Sequence, residues 1–117
     1  MVLINEGLNR VRDLVDNDIF KGQAGTDTTA PSESDTGLNS AVAATLLVVS
    51  TSVADKTLKV SHVIDSSTAT GNTFSEWEVQ LNSGGESLNR SVTAGVAHTS
   101  SDELTKITTF FFRNSQV

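Results

Sequence analysis

The spacing of apolar residues changes across one polar stretch, and this change limits the possible folds more than any other feature. Between residues 4 and 19 apolar side chains recur every three or four positions, as they do on one face of a helix. From residue 41 onward they alternate or form short runs, which is typical of strands. Residues 22–38 lie between the two patterns, are rich in Gly, Thr, Ser and Asp, and hold the only proline, Pro31. We predict one domain (1–117) with an N-terminal helix (1–21), an ordered connector (22–40) and a β-sandwich (41–117).

The first pattern predicts a helix from about residue 6 to residue 17, with Asn5 as its N-cap. Acidic side chains near its C-terminal end oppose the helix dipole. Because the helix is also short, we expect tertiary or subunit contacts to hold it in place. Its apolar stripe comprises Ile4, Leu8, Val11, Val15 and Ile19, with Leu14 beside it.

The second pattern predicts a mainly β fold, an antiparallel β-sandwich of about five strands with one N-terminal α-helix. The predicted strands are 43–52, 57–65, 73–81, 88–98 and 104–112. The alternation in 57–65 assigns Leu58, Val60, His62 and Ile64 to one face. Phe74 is out of phase with its strand, which suggests a bulge. The layer that covers this sheet is the helix, a second sheet or a neighbouring subunit.

Two features do not fit a simple sandwich. Arg90 falls on the inward face of its strand, so we expect it at a strand end or paired with a carboxylate across a subunit boundary. The chain also ends its last strand with Phe110, Phe111 and Phe112, which places aromatic rings on both faces. Either Phe110 and Phe112 cover the core and Phe111 faces outward, or the reverse.

Charge and composition exclude several classes of function. The net charge of −6 argues against nucleic-acid binding and against docking on an anionic membrane. The absence of cysteine excludes thiolate catalysis, thiolate metal sites and disulfides. The apolar run 41–49 is too short to span a bilayer, and no secretory signal precedes the helix, so synthesis in the cytoplasm is expected.

The candidate chemical groups each have a simpler structural interpretation. His62 and His98 lack metal-ligand spacing and are interpreted as ordinary strand residues. The acidic residues of the connector are either calcium ligands or turn-forming acids, and we favour turns. Glu76 and Glu78 are placed on a solvated strand face and not in a glycosidase pair. We therefore predict no catalytic, metal or cofactor-binding residues, and no enzyme.

The connector carries a family resemblance. Gly25-Thr26-Asp27-Thr28-Thr29-Ala30-Pro31 followed by Ser34-Asp35-Thr36-Gly37-Leu38 resembles a GTGTTAP…SDTGL-type pattern of small structural proteins of tailed bacterial and archaeal viruses. Residues 5–14 resemble the Asn-x-Gly-Leu-x-x-x-Arg-Asp-Leu helix that precedes this pattern in that group. The resemblance covers residues 4–38, and Asp27 replaces a residue that is more often small. It implies a virion protein, either a head-decoration protein or a tail-fibre or baseplate component.

We expect a capsid decoration (cement or turret) protein that assembles as several copies, a trimer being one option. The implied partners are further copies and the major capsid protein or other virion proteins, with no nucleic acid, membrane or cofactor. The alternatives are a tail-fibre or baseplate component and a carbohydrate-binding β-sandwich in which Trp77 stacks on sugar. The residues predicted to form the interfaces are Leu8, Val11, Val15, Thr28, Thr29, Pro31, Phe110, Phe111 and Phe112.

Overall fold

A computed structural model describes residues 2–82 and 85–114 of the chain. Within these ranges the fold is mainly β with one N-terminal α-helix, as predicted. The elements in chain order are α1 (Asn5–Asp18), β1 (Ile19–Gly25), a 3₁₀ turn (Ala43–Thr45), β2 (Leu47–Val48), β3 (Ser50–Ala54), β4 (Thr57–Ile64), β5 (Thr73–Leu81), β6 (Ser87–Ala97) and β7 (Leu104–Phe111).

The strands form two antiparallel sheets that pack as a sandwich. One sheet has the order β2-β1-β5-β6, and the other has the order β3-β4-β7. Two apolar clusters lie between them, and each contains residues from both sheets. The first contains Ala24, Ile64, Phe74 and Trp77, and the second contains Leu58, Val60 and Val79. The second layer of the fold is therefore another sheet of the same chain.

The first strand was missed by the sequence analysis. β1 follows α1 without a linker, and residues 19–25 had been assigned to the end of the helix and the connector. The segment has no clear alternation, because it contains glycine and alanine and its Phe20 is exposed. Pairing with β2 and β5 stabilises it as a strand. The helix unit therefore ends at residue 18, and the connector spans residues 26–40.

The predicted strand 43–52 is divided between the two sheets. Its start is a 3₁₀ turn, β2 pairs with β1, and β3 pairs with β4. Thr45 fixes the turn, since its buried Oγ1 accepts a hydrogen bond from the backbone N–H of Ala24 at 2.8 Å and lies 2.7 Å from the carbonyl of Val42. The sequence does not reveal such a crossing, because the apolar run that contains β2 continues into the Ser- and Thr-rich β3 without Gly, Pro, Asn or Asp to mark a turn.

The remaining strands agree closely with the prediction. Leu58, Val60, His62 and Ile64 are all buried on one face of β4, and β5 has the predicted bounds. The pairing of β5 with β6 shifts register between Phe74 and Glu76, so the predicted irregularity is present.

The helix is attached to the sandwich through its inner face and through one turn. Leu8 is buried, and Val15 and Ile19 pack against the second apolar cluster. Asn9 accepts a hydrogen bond from the backbone N–H of Lys56 at 2.7 Å, in the turn between β3 and β4. The predicted cap is wrong, because Ile4 occupies the N-cap position and no side chain caps the helix.

We predict that Thr45→Val destabilises the protein by about 1–3 kcal/mol, because the buried N–H of Ala24 would lose its acceptor. Urea unfolding followed by circular dichroism measures this difference. Thr105→Val is the matched control, since Thr105 is exposed, and it is expected to change stability by less than about 0.5 kcal/mol. Equal effects of the two substitutions would contradict the role given to Thr45.

Candidate functional site: the connector clasp and the exposed apolar surfaces

The connector is held by a carboxylate that the sequence analysis placed in solvent. Glu76 is fully buried. Its Oε2 accepts hydrogen bonds from the backbone N–H of Ser40 at 2.7 Å and of Asp27 at 3.1 Å. Its Oε1 accepts from the N–H of Asn39 at 2.9 Å and from Nε of Arg90 at 3.0 Å. One side chain of β5 thus binds both ends of the connector.

Arg90 completes this arrangement from β6. Its side chain is 3% exposed, and its Nη1 and Nη2 atoms lie 3.2 Å from Asp35 and 3.0 Å from Asp27. The expected pairing across a subunit boundary is wrong, because all three carboxylates belong to the same chain. We call Asp27, Asp35, Glu76 and Arg90 the connector clasp.

The acids of the connector form turns, as the favoured interpretation predicted. Asp27 accepts a hydrogen bond from the backbone N–H of Thr29 at 3.0 Å, and Asp35 accepts one from Ser32 at 2.9 Å. The cation beside them is the guanidinium of Arg90. In the described part of the chain, no group of three or more His, Asp or Glu side chains could hold a metal ion.

A glycine allows the close approach on which the clasp depends. A Cβ at Gly25 would lie 2.5 Å from the carbonyl oxygen of Ser40 and would overlap the carboxylate of Glu76. Gly25 also forms a bridge with Ala41, so the two ends of the connector meet at this point. Any larger residue would push the connector off β5.

The hydrogen bonds of the clasp favour the charged forms of Glu76 and Asp27. Burial alone would raise the pKa of Glu76, but the hydrogen bonds from Asn39, Arg90, Ser40 and Asp27 outweigh it and lower the pKa below its ordinary value. Hydrogen bonds from Asn39 and Thr29 and the charge of Arg90 lower the pKa of Asp27. The hydrogen bond to Glu76, together with Asp35, raises the pKa of Arg90. These shifts in pKa keep Glu76, Asp27 and Arg90 ionised at neutral pH.

A polar groove lies between the connector and β6, next to the clasp. It has a volume of about 160 Å³, and Ser32, Glu33, Ser87 and Asn89 are among its lining residues. Small-molecule sites usually have 300–1,000 Å³ and mostly apolar walls. The cation at its base, Arg90, is already paired with carboxylates of the chain. The groove therefore lacks the properties of a ligand site.

The two histidines are buried, and each donates to a backbone carbonyl. Nε2 of His62 lies 2.8 Å from the carbonyl oxygen of Thr45, and Nε2 of His98 lies 2.8 Å from that of Asp65. Burial lowers the pKa of His62, which favours its neutral form. Within residues 2–82 and 85–114, neither histidine forms a hydrogen bond with a hydroxyl group, which a catalytic triad requires of its base.

The predicted interface residues fall into two groups. Leu8 is buried, Val15 is half-buried, and Phe110 and Phe112 pack against the second apolar cluster, so the chain itself covers them. Phe111 faces outward with 65% of its surface exposed, which selects the first of the two orientations considered for the aromatic run. The other exposed members of the set are Val11, Thr28, Thr29 and Pro31.

The outer face of the β3-β4-β7 sheet is broad and nearly uncharged. The register places Thr57 beside Phe111, Ser61 beside Ile107 and Val63 beside Thr105 on this face. Ile107 and Phe111 are 55% and 65% exposed. The charged side chains on this face, within the described residues, are Lys59 and Arg113, whose guanidinium carbon lies 5.9 Å from the centre of the Phe111 ring. The sequence analysis did not identify Ile107, although the alternation in 104–112 places it in phase with Phe111.

The outward side of α1 is a second apolar surface. Val11 is 40% exposed and Leu14 is 53% exposed, while Ile4 at the N-cap is 70% exposed. The sequence analysis placed Leu14 beside the main stripe and omitted it from the interface set. Among the described residues, no helix is long and apolar enough to cross a membrane.

We predict that Glu76→Gln destabilises the protein by about 3–5 kcal/mol, because Arg90 would lose its buried partner and an amide would face three N–H donors. Chemical unfolding of both proteins measures this difference. Glu33→Gln is the control, since Glu33 is an exposed acid in the same connector. Glu33→Gln should leave stability nearly unchanged, and a loss of similar size in both variants would contradict the clasp.

The clasp also predicts acid sensitivity. The folded pKa of Glu76 lies below its ordinary value of 4.5, so its stabilisation is fully present above about pH 4.5 and is lost as the pH falls through the lowered value. The free energy of unfolding, measured at steps from pH 6 to pH 2, should therefore fall less steeply for Glu76→Gln than for wild type. Parallel curves for the two proteins would be inconsistent with this linkage.

Comparison of the chain with protein-family models, with curated proteins and with solved structures finds no match. The geometry of the clasp and of the two exposed apolar surfaces, together with the sequence resemblance of residues 4–38, is the basis for the functional interpretation below.

Proposed function

We propose that this protein is a non-enzymatic structural component of a virion of a tailed virus, and that it decorates the capsid in several copies. The observation that carries the proposal is that one folded copy leaves two apolar surfaces uncovered while its connector is fixed rigidly. The resemblance of residues 4–38 to small virion proteins supplies the class of particle.

The exposed surface of the chain supports assembly. The whole chain, termini included, exposes 7010 Å², whereas a compact monomer of this mass exposes about 6,100 Å². The difference is close to the roughly 800 Å² that one partner buries in a standard interface. The elongated shape, 48 × 26 × 26 Å, contributes to this excess.

The two surfaces have different characters, which suits a decoration protein. The outer face of the β3-β4-β7 sheet is broad, rich in hydroxyl groups and nearly free of charge. Such a face can lie against a large surface such as a shell when that surface supplies partners for the cations Lys59 and Arg113. The outward side of α1 is narrow and apolar and suits a contact with another copy.

The environment of the candidate sugar-binding residue favours a structural protein over a carbohydrate-binding one. Trp77 is 4% exposed, and its indole N–H donates to Oγ1 of Thr93 at 3.0 Å. A stacking platform must present its ring face to solvent. A tail-fibre or baseplate position remains the second proposal, since the sequence resemblance includes such proteins.

The test uses virus particles from which the protein has been removed. Purified protein should bind them in a saturable manner, and labelled protein should be seen over the head by electron microscopy. We expect Phe111→Ser and Ile107→Ser each to weaken binding by about tenfold or more, because each removes an exposed apolar side chain from the docking face. Their folding should be unaffected.

The matched control is Val96→Ser, which removes an exposed apolar side chain from the other sheet. It should bind like the wild type. Label at the tail tip would select the tail-fibre or baseplate position, and absence of binding to stripped particles would contradict a virion role.

A further inference from the structure

We infer that the outward side of α1 is a contact between two copies of this chain, in which the two helices lie antiparallel and Leu14 of each copy packs over Gly7 of the other. The inference deepens the proposed function, because it rests on assembly in several copies, but it does not depend on the kind of particle.

The first argument is the pattern of exposed residues along the helix. Ile4, Gly7, Val11 and Leu14 are spaced by three, four and three residues, so they lie along one side of α1. This stripe is distinct from Leu8, Val15 and Ile19, which face the sandwich. Spacing of three and four residues is the pattern by which helices pack against one another.

The second argument is the glycine within this stripe. A Cβ at Gly7 would meet no neighbouring atom within 4 Å, and its φ lies outside the left-handed region, so nothing in one copy requires glycine there. Glycine weakens a helix relative to alanine. A notch between Ile4 and Val11 has a use only if another chain enters it.

The third argument concerns the apolar residues that precede the helix, which hydrogen bonds to Asn114 hold in place. The side-chain amide of Asn114 accepts a hydrogen bond from the backbone N–H of Leu3 and donates one to its carbonyl, both at 2.9 Å. Val2, Leu3 and Ile4 nevertheless expose 74%, 42% and 70% of their surfaces. These residues increase the exposed apolar area of the stripe, and a stable dimer must bury a large area.

The same surface on a second copy is the occupant that fits. Gly7 and Leu14 lie seven residues apart on one helix. When a two-fold axis relates two copies, Leu14 of each copy packs over Gly7 of the other, so both notches are filled. The exposed area of the chain also exceeds that of a compact monomer by about the area that one partner buries in a standard interface.

The first experiment compares Gly7→Ala with wild type by sedimentation equilibrium of the full chain. We expect the dissociation constant to rise by about tenfold or more, because the methyl group fills the notch. The thermal midpoint measured at a concentration where both proteins are monomeric should stay the same or rise, because alanine favours the helix. This opposite response separates a contact from a folding defect.

Leu14→Ala should weaken association similarly, and Val48→Ala is its control, since Val48 is 73% exposed on another part of the chain. If Gly7→Ala and Leu14→Ala associate like wild type while wild type is oligomeric, this contact is wrong and the proposed assembly in several copies stands. If the wild type remains monomeric at all concentrations tested, both fail.

The second experiment tests the orientation by cross-linking. The chain has no cysteine, so introduced thiols react only with each other. An equal mixture of Gly7→Cys and Leu14→Cys proteins should, on oxidation, form the mixed disulfide between the two variants. Preferential formation of Gly7→Cys homodimers and Leu14→Cys homodimers would show a parallel arrangement and overturn the inference.

Discussion

The buried ion pair between Glu76 and Arg90 is the interaction on which the arrangement of this protein depends. The connector carries no large apolar side chain before Leu38, so burial of apolar surface cannot hold it against the sandwich. Charge-assisted hydrogen bonds to Glu76 and Arg90 hold it in place, and they join it to β5 and β6 at once. Glu76 and Arg90 are both buried, so each needs its hydrogen-bond partners. If the connector detached from the sheet, both charges would lose partners that it supplies. The charged pair therefore fixes both ends of a polar loop against the sheet.

The parts of the fold that the sequence predicts are those in which local pattern and burial agree. β4 alternates over its whole length, and the structure buries the predicted face.

The predicted exposure of Glu76 is wrong for a clear reason. A period of two assigns acids to solvent, but three of its four donors come from Asp27, Asn39 and Ser40, which are 36 to 49 residues away in the chain. No local pattern can reveal such partners. The predicted inward placement of Arg90 is wrong as well, because β6 pairs Arg90 with Glu78, so it lies on the same outer face as Glu76 and is covered by the connector.

The two wrong boundaries have a different cause. β1 and the crossing between β2 and β3 contain apolar or small residues in no clear period, so their conformation is set by pairing with other strands and not by their own pattern. Thr45 is decisive at the crossing, yet in the sequence it is one threonine among many.

The sequence also leaves open which apolar residues of the helix face the sandwich. Leu8, Val11 and Val15 were assigned to one stripe with Leu14 beside it. In the structure Leu8 and Val15 face the sandwich while Val11 and Leu14 face outward, and only the position of the sheet separates the two sets.

The charge distribution explains why the outer face of the β3-β4-β7 sheet is the best docking surface for a large partner. Copies with a net charge of −6 repel one another and repel any acidic surface. The acids that could add to this repulsion are placed elsewhere. Those of the connector are neutralised in part by Arg90, and among the described residues the outer face carries the cations Lys59 and Arg113 and no acid. Approach through this face therefore brings hydroxyl groups, Ile107 and Phe111 to the contact without placing like charges opposite each other. A chain of this net charge can lie close to another protein at the least electrostatic cost in this orientation.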